Sequence, residues 1–236
     1  MACYTGMRTG EVFSLTWDDI DLENRIIKIN KTVYCKKKDN KGRWFLGATK
    51  TPGSCRNVFI SDILYKIICK YKEKQKLLKK KYGRRYKKYE LEPVKNKHGK
   101  INEYKIVESK YKNLKSVEMV FTRNNGLYVG TDIIKYPFKI IHNELGIKNC
   151  RFYDLRGSYA TKILRNGAEI RDVADILGHS RIETTENYYI SSSEKTRKEA
   201  NDMLEEIIKS DVINDIMKYW KKWFVINDCN ILIILL

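Results

Sequence analysis

No two cysteines of this chain stand in a C-x-x-C pair. The six, Cys3, Cys35, Cys55, Cys69, Cys150 and Cys229, are widely separated, which sets aside a zinc site and a disulfide framework and leaves reduced thiols. There is no Gly-rich phosphate loop and no cluster of carboxylates, which is consistent with an expectation of no cofactor, no ATP and no metal. Long apolar runs are missing too. The terminal ILIILL is far shorter than the roughly 20 residues of a membrane span, and the opening MACYTGMRTGE lacks a charged region followed by an apolar stretch. The expectation is a cytoplasmic protein with no membrane association. No internal repeat and no low-complexity linker is visible. Acidic residues are in short supply: 47 Lys+Arg against 29 Asp+Glu leave a net charge of +18.

What is present follows from that imbalance. A basic excess of this size favours a polyanionic partner through counterion release and electrostatic steering. The charge is spread along the chain and interleaved with 16 tyrosines, unlike the compact polybasic block of a membrane-surface protein. Nucleic acid is therefore the expected partner. A 42% share of hydrophobic residues in 236 positions is enough to bury a core.

Three β-branched or aromatic runs, NRIIKINKTVY, GRWFLGATK and RNVFIS, are separated by the turn-rich KKKDNKG and TPGSC, which predicts a small three-stranded antiparallel sheet. Ser61 is placed to cap a helix with apolar residues Leu64, Ile67, Ile68, Tyr71, Leu77 and Leu78. Residues 82–115 read as a basic, tyrosine-rich surface insertion with a turn at NKHGK and no sustained period. Beyond it come a short strand, an Asn-Gly turn, a cap at Thr131 and a helix that starts or kinks at Pro137. Helices are then expected over about 153–165, 171–177 with Gly178 as left-handed cap, and 182–189. A charged helix follows Ser191, and Ile213, Ile216, Met217, Trp220 and Trp223 form an apolar stripe in the tail. The fold class is α+β, mainly helical.

Four segments carry the chemistry: TGMRTGEVFSLTWDDID, TKTPGSCRNVFI, YDLRGSYAT and LGHSRIETTENYY. In this order and spacing they resemble the catalytic domain of the tyrosine recombinases, the phage-integrase family. The resemblance covers residues 2 to about 199. It implies a catalytic domain over 1–210 without the family's N-terminal DNA-binding domains, hence a truncated or isolated domain. It implies a tail at 211–236 that is either a protomer-exchange helix or a non-native extension, and a homo-oligomer on DNA.

The residue chemistry agrees. Guanidinium groups offer forked donors to the equatorial oxygens of a phosphodiester under attack, and Arg8 and Arg156 match the family's two catalytic arginines. Glu11, three residues after Arg8, takes an orienting role; an ordinary helix salt bridge is the competing reading. The resemblance implies that Lys50, in a turn with Thr51, Pro52 and Gly53, protonates the leaving 5′ oxygen. His179 contacts the phosphate, whereas His98 in a loop and His142 on an apolar helix read as structural. The family position of the nucleophile is the first tyrosine of NYYI, Tyr188, with Tyr189 the alternative. The pattern departs at Tyr153, where the family usually has histidine, and at Gly157, where a second histidine is common. The resemblance thus implies site-specific DNA cleavage and rejoining through a 3′-phosphotyrosine. A non-catalytic helix-turn-helix DNA-binding protein and a type IB topoisomerase remain alternatives.

Overall fold

The computed structural model describes residues 1–38, 41–49, 51–109, 114–147 and 150–190. Lys50, the helix expected after Ser191 and the tail stripe lie outside the described residues, as do the side chains of 187–190, Tyr188 and Tyr189 among them. Among the described residues no helix is long and apolar enough to cross a membrane.

Two short helices, α1 (Ala2–Thr5) and α2 (Thr9–Ser14), open the fold. Between them Gly6 turns at φ 62, and a Cβ there would stand 2.5 Å from Leu177 Cδ2 and 2.7 Å from Tyr159 Cδ1. Glycine is required on both conformational and steric grounds.

The strands form two sheets, not the single three-stranded one expected. Strands β1 (Ile20–Asp21), β2 (Ile26–Ile29) and β5 (Arg56–Phe59) make an antiparallel sheet in the order β1-β2-β5. The run NRIIKINKTVY breaks at Asn30, and its second half is β3 (Lys31–Lys38), paired with β4 (Lys41–Ala48) in another sheet. Ile27, Ile29 and Val33 are all buried and share one parity, so the alternation runs through the break without marking it. What redirects the chain is tertiary: Ser14 Oγ donates to the Lys31 carbonyl at 2.9 Å, and the Lys31 ammonium pairs with Asp19.

The basic tract expected as a surface insertion supplies two of the five strands of the second sheet. Strands β6 (Tyr89–Lys95) and β7 (Ile101–Glu108) are joined through the NKHGK turn, where Asn96 N–H donates to the Lys100 carbonyl at 2.9 Å. With β8 (Lys115–Val117) the order is β3-β4-β7-β6-β8. Tyr89 is buried and Leu91 packs against the main core, but Glu90 between them is buried too, so burial along β6 does not alternate and the lysine-rich flanks and Pro93 hide the strand in the sequence.

Helix α3 (Asp62–Tyr82) starts as expected, with Ser61 Oγ accepting from Leu64 N–H. Its buried stripe is Leu64, Ile68, Tyr71 and Gln75, while Leu77 is 66% exposed. Gln75 extends the face in place of a leucine because it is fully engaged: its Oε1 accepts from Trp17 Nε1 at 2.6 Å and its Nε2 donates to Thr122 Oγ1 at 3.0 Å. Helix α4 (Lys135–Asn143) follows a 3-10 turn at Thr131–Ile134 capped by Gly130, and Pro137 sits in its first turn, where the missing N–H costs nothing.

Helices α5 (Asp154–Arg165), α6 (Ile170–Leu177) and α7 (Glu183–Ile190) pack on one another, and α5 also packs on α1. Ala160, Leu164, Val173 and Leu177 form a small second core beside the main one, which includes Val12, Phe13, Ile27, Leu64 and Phe121. Each large apolar side chain buried this way contributes about 1.5–3 kcal/mol. The candidate site lies where the two cores meet.

Candidate active site

Arg8 caps α2 instead of lying on it. Its backbone N–H donates to Glu11 Oε2 at 2.9 Å and its Nη1 to Glu11 Oε1 at 2.8 Å, a capping box closed by charge. The same carboxylate receives Arg56 from β5, at 2.9 Å from Nη2 and 3.2 Å from Nη1. Glu11 is only 3% exposed. Burial alone would raise its pKa, but the Arg56 and Arg8 contacts outweigh it and hold the carboxyl below its usual value.

Arg156, on the first turn of α5, is 1% exposed. Its Nη1 donates to the Gly6 carbonyl at 2.8 Å and its Nη2 to the Leu177 carbonyl at 2.7 Å, while its Nε is buried with no partner. Burial, and then Arg8 and Arg56, lower its pKa to about 10. It stays charged at neutral pH, as arginines do.

The C-terminal end of α6 gathers these groups. Gly178 caps it at φ 67. The carbonyl of Ile176 accepts from Arg56 Nε at 2.5 Å, that of Leu177 from Arg156 and from Arg8 Nη1 at 3.4 Å, and that of Gly178 from Arg8 Nη2 at 3.1 Å. Carbonyls left unpaired by the helix, at the negative end of its dipole, thus meet three cations.

His179 follows the cap directly. Its Nδ1 lies 2.8 Å from the hydroxyl of fully buried Thr185 on α7. Burial, then Arg156, Arg8 and Arg56, push its pKa down to about 4, so the imidazole is neutral at pH 7. The unfolded chain binds a proton at this residue near pH 6.5, and the folded chain only near 4. Stability therefore falls as pH drops from about 6.5 toward 4. A His179→Gln variant should show a shallower decline of thermal midpoint over that window; an unchanged slope would count against the depressed pKa.

The structure brings Arg8, Glu11 and Arg156 together through shared partners, with His179 beside them within the arginines' field. Tyr153 is the residue before α5, 44% exposed and close enough to act on the Arg156 charge. Residue 188 lies on α7, one turn beyond Thr185. His142 instead bonds the Cys150 carbonyl at 2.6 Å, and His98 lies in the exposed NKHGK turn; neither joins the cluster. Sequence reasoning missed Arg56 as a member of the cluster, although it stands inside TKTPGSCRNVFI, and missed Thr185, which nothing in its own segment distinguishes.

The chain is similar to known proteins in sequence and in fold. The chain is 27% identical over 212 residues to a tyrosine recombinase XerC-like protein of Caldanaerobacter subterraneus subsp. tengcongensis, covering 88% of this chain and 48% of that one. It is 26% identical over 208 residues to the ICEBs1 integrase of Bacillus subtilis, with the same coverages. The chain thus spans about half the length of these curated relatives. Among solved structures, the Tn1549 transposon integrase in complex with a circular intermediate DNA superposes with a TM-score of 0.55 at 18% identity, over 86% of this chain and 56% of that one, a likeness of fold. Residues 1–196 match the family described as the phage integrase family, and the chain belongs to that family.

Proposed function

We propose that the chain is the catalytic part of a site-specific DNA recombinase that cuts and rejoins strands through a covalent tyrosine intermediate. The observation that carries this reading is the charge balance of the site. Three guanidinium groups, Arg8, Arg56 and Arg156, face one carboxylate, Glu11, and a neutral His179, leaving two positive charges uncompensated. A phosphodiester carries one negative charge, and attack by a phenolate builds a transition state with two. The site is therefore matched to the transition state more closely than to the ground state, which is the condition for accelerating a reaction.

In the proposed step the Tyr188 oxygen bonds to phosphorus, the bond to the 5′ oxygen breaks, and Lys50 delivers the proton that the leaving 5′ hydroxyl acquires. The 3′-phosphotyrosine conserves the phosphodiester energy, so neither ATP nor metal is needed, and the 5′ hydroxyl of a partner strand reverses the step. The phenol must lose its proton at a pKa near 10. His179 is too weak a base for that while its pKa stays near 4, but a bound phosphate opposes the arginine field that depresses it. Tyr153 takes the position of the family's usual histidine and contributes a hydrogen-bond donor.

Double-stranded DNA is the proposed partner, bound by a homo-oligomer. Binding by this chain is expected to be largely electrostatic. With six or more phosphate contacts, affinity should fall about a thousandfold or more between 50 and 200 mM salt, and an affinity independent of salt would overturn that expectation. Incubation with a nicked suicide duplex followed by denaturing electrophoresis tests the function: a protein–DNA adduct is expected, and its absence with every family-related site tried would reject the reading.

A further inference from the structure

We propose that Arg56 is a positioning residue of the strand-transfer site: it ties Glu11 and the C-terminal turn of α6 into one unit, so that Arg8 and His179 meet the phosphate in fixed relation. The proposal rests on the recombinase reading above.

Arg56 is built to hold protein, not ligand. Its side chain is 6% exposed, and four of its five N–H groups are engaged: Nε with the Ile176 carbonyl, Nη1 with Glu11 and the Ser54 carbonyl, Nη2 with Glu11. Arg8, 32% exposed, uses three of its five and keeps donors for a phosphate. The two arginines share the same carboxylate and neighbouring carbonyls of one turn, yet differ in what they have left to offer.

The connections explain why the position of Arg56 matters to chemistry. Through Glu11 it fixes the partner that orients Arg8. Through Ile176 it fixes the turn whose next two carbonyls orient Arg156 and Arg8 and whose following residue is His179. It also supports the cap itself, since a Cβ on Gly178 would stand 3.1 Å from Arg56 Nη1 and 3.2 Å from its Cδ. A lysine here keeps the charge but cannot span a carboxylate and a carbonyl as the planar fork does. Loss of the fork therefore leaves the local field in place and releases the geometry.

The test is Arg56→Lys in the full chain, assayed where circular dichroism shows it fully folded. Duplex affinity should stay within about threefold, while the first-order rate of adduct formation at saturating DNA falls about tenfold or more, as small misplacements of reacting groups do. Because the charge is kept, the pH dependence of that rate should keep its midpoint. Gly178→Ala retains Arg56 but presses on its guanidinium and strains the cap, and it should give the same separation of rate from affinity; it serves if the lysine variant does not fold. A wild-type rate with only a lowered thermal midpoint would make Arg56 a plain strut and overturn the proposal. Lost affinity with an unchanged saturating rate would overturn it too, by making Arg56 a phosphate ligand. An unmodified chain that forms no adduct fails the recombinase reading and takes this proposal with it, whereas an active chain with an active Arg56→Lys variant rejects the positioning role alone.

Discussion

Replacing Tyr188 with Phe is expected to abolish the covalent DNA adduct, a loss of at least about 10³-fold, because only the nucleophilic oxygen is removed. Duplex affinity should stay within about twofold, since the proposed binding is electrostatic and the lost phenol carries no charge. Tyr189→Phe should keep the adduct. Residues 188 and 189 stand three and four positions beyond Thr185 on α7, the residue that holds His179, so helix geometry brings both into the site's neighbourhood. Successive residues on a helix point about 100° apart, and one arginine clamp serves one direction. Adduct formation that survives Tyr188→Phe and disappears with Tyr189→Phe would reverse the assignment; survival in both would remove the helix from the chemistry.

Glu11→Ala is expected to destabilise the fold by about 3–5 kcal/mol, the cost of breaking a buried ion pair by deleting one partner. For a domain of this size that lowers the thermal midpoint by roughly 6–20 °C. Glu11 is the carboxylate that Arg8 and Arg56 share; without it Arg56 is a buried cation beside Arg156. The same contact gives the fold an acid limit. A carboxyl held below its ordinary pKa contributes stability that is present above the unfolded value near 4.3 and is lost as pH falls through the folded one. The Glu11 effect should therefore shrink in acid. A midpoint change under about 2 °C at pH 7 would show that the pair is not what holds α2 to β5.

These residues mark the boundary of what the sequence discloses. Arg8, Glu11, Arg156 and His179 were legible because their side chains act from recognisable segments, and the helices at 154–165, 170–177 and 183–190 were legible from apolar spacing and Gly178. Arg56 and Thr185 were not. Their partners are a carboxylate 45 positions away, a main-chain carbonyl 120 positions away and a histidine ring across a turn, and backbone carbonyls leave no mark in composition or period. The split of the first strand run at Asn30 was hidden for a related reason: burial parity continues through it, and the break is imposed by Ser14 and Asp19 from elsewhere in the chain. Strands β6 and β7 were obscured because charged residues, Glu90 and Glu103, are buried along them while Ile101 and Tyr104 are exposed.

The arginines also set the order in which the protein can be completed as it is made. Arg8 meets Glu11 within three residues, and Arg56 reaches Glu11 once 45 more have been added. Arg156 needs Gly6, 150 positions earlier, and the Gly178 carbonyl is 170 positions after Arg8. At 5–20 residues per second, roughly ten to thirty seconds separate the emergence of Arg8 from that of its last acceptor. From the addition of Arg56 onward the nascent chain carries two guanidinium groups on one carboxylate, and the α6 turn closes the cluster only after the strands of both sheets have been made. A polypeptide stalled before Gly178 thus holds Arg8, Glu11, Arg56 and Arg156 without the full turn that gathers them, so the geometry of the cluster is completed only once that glycine has been added.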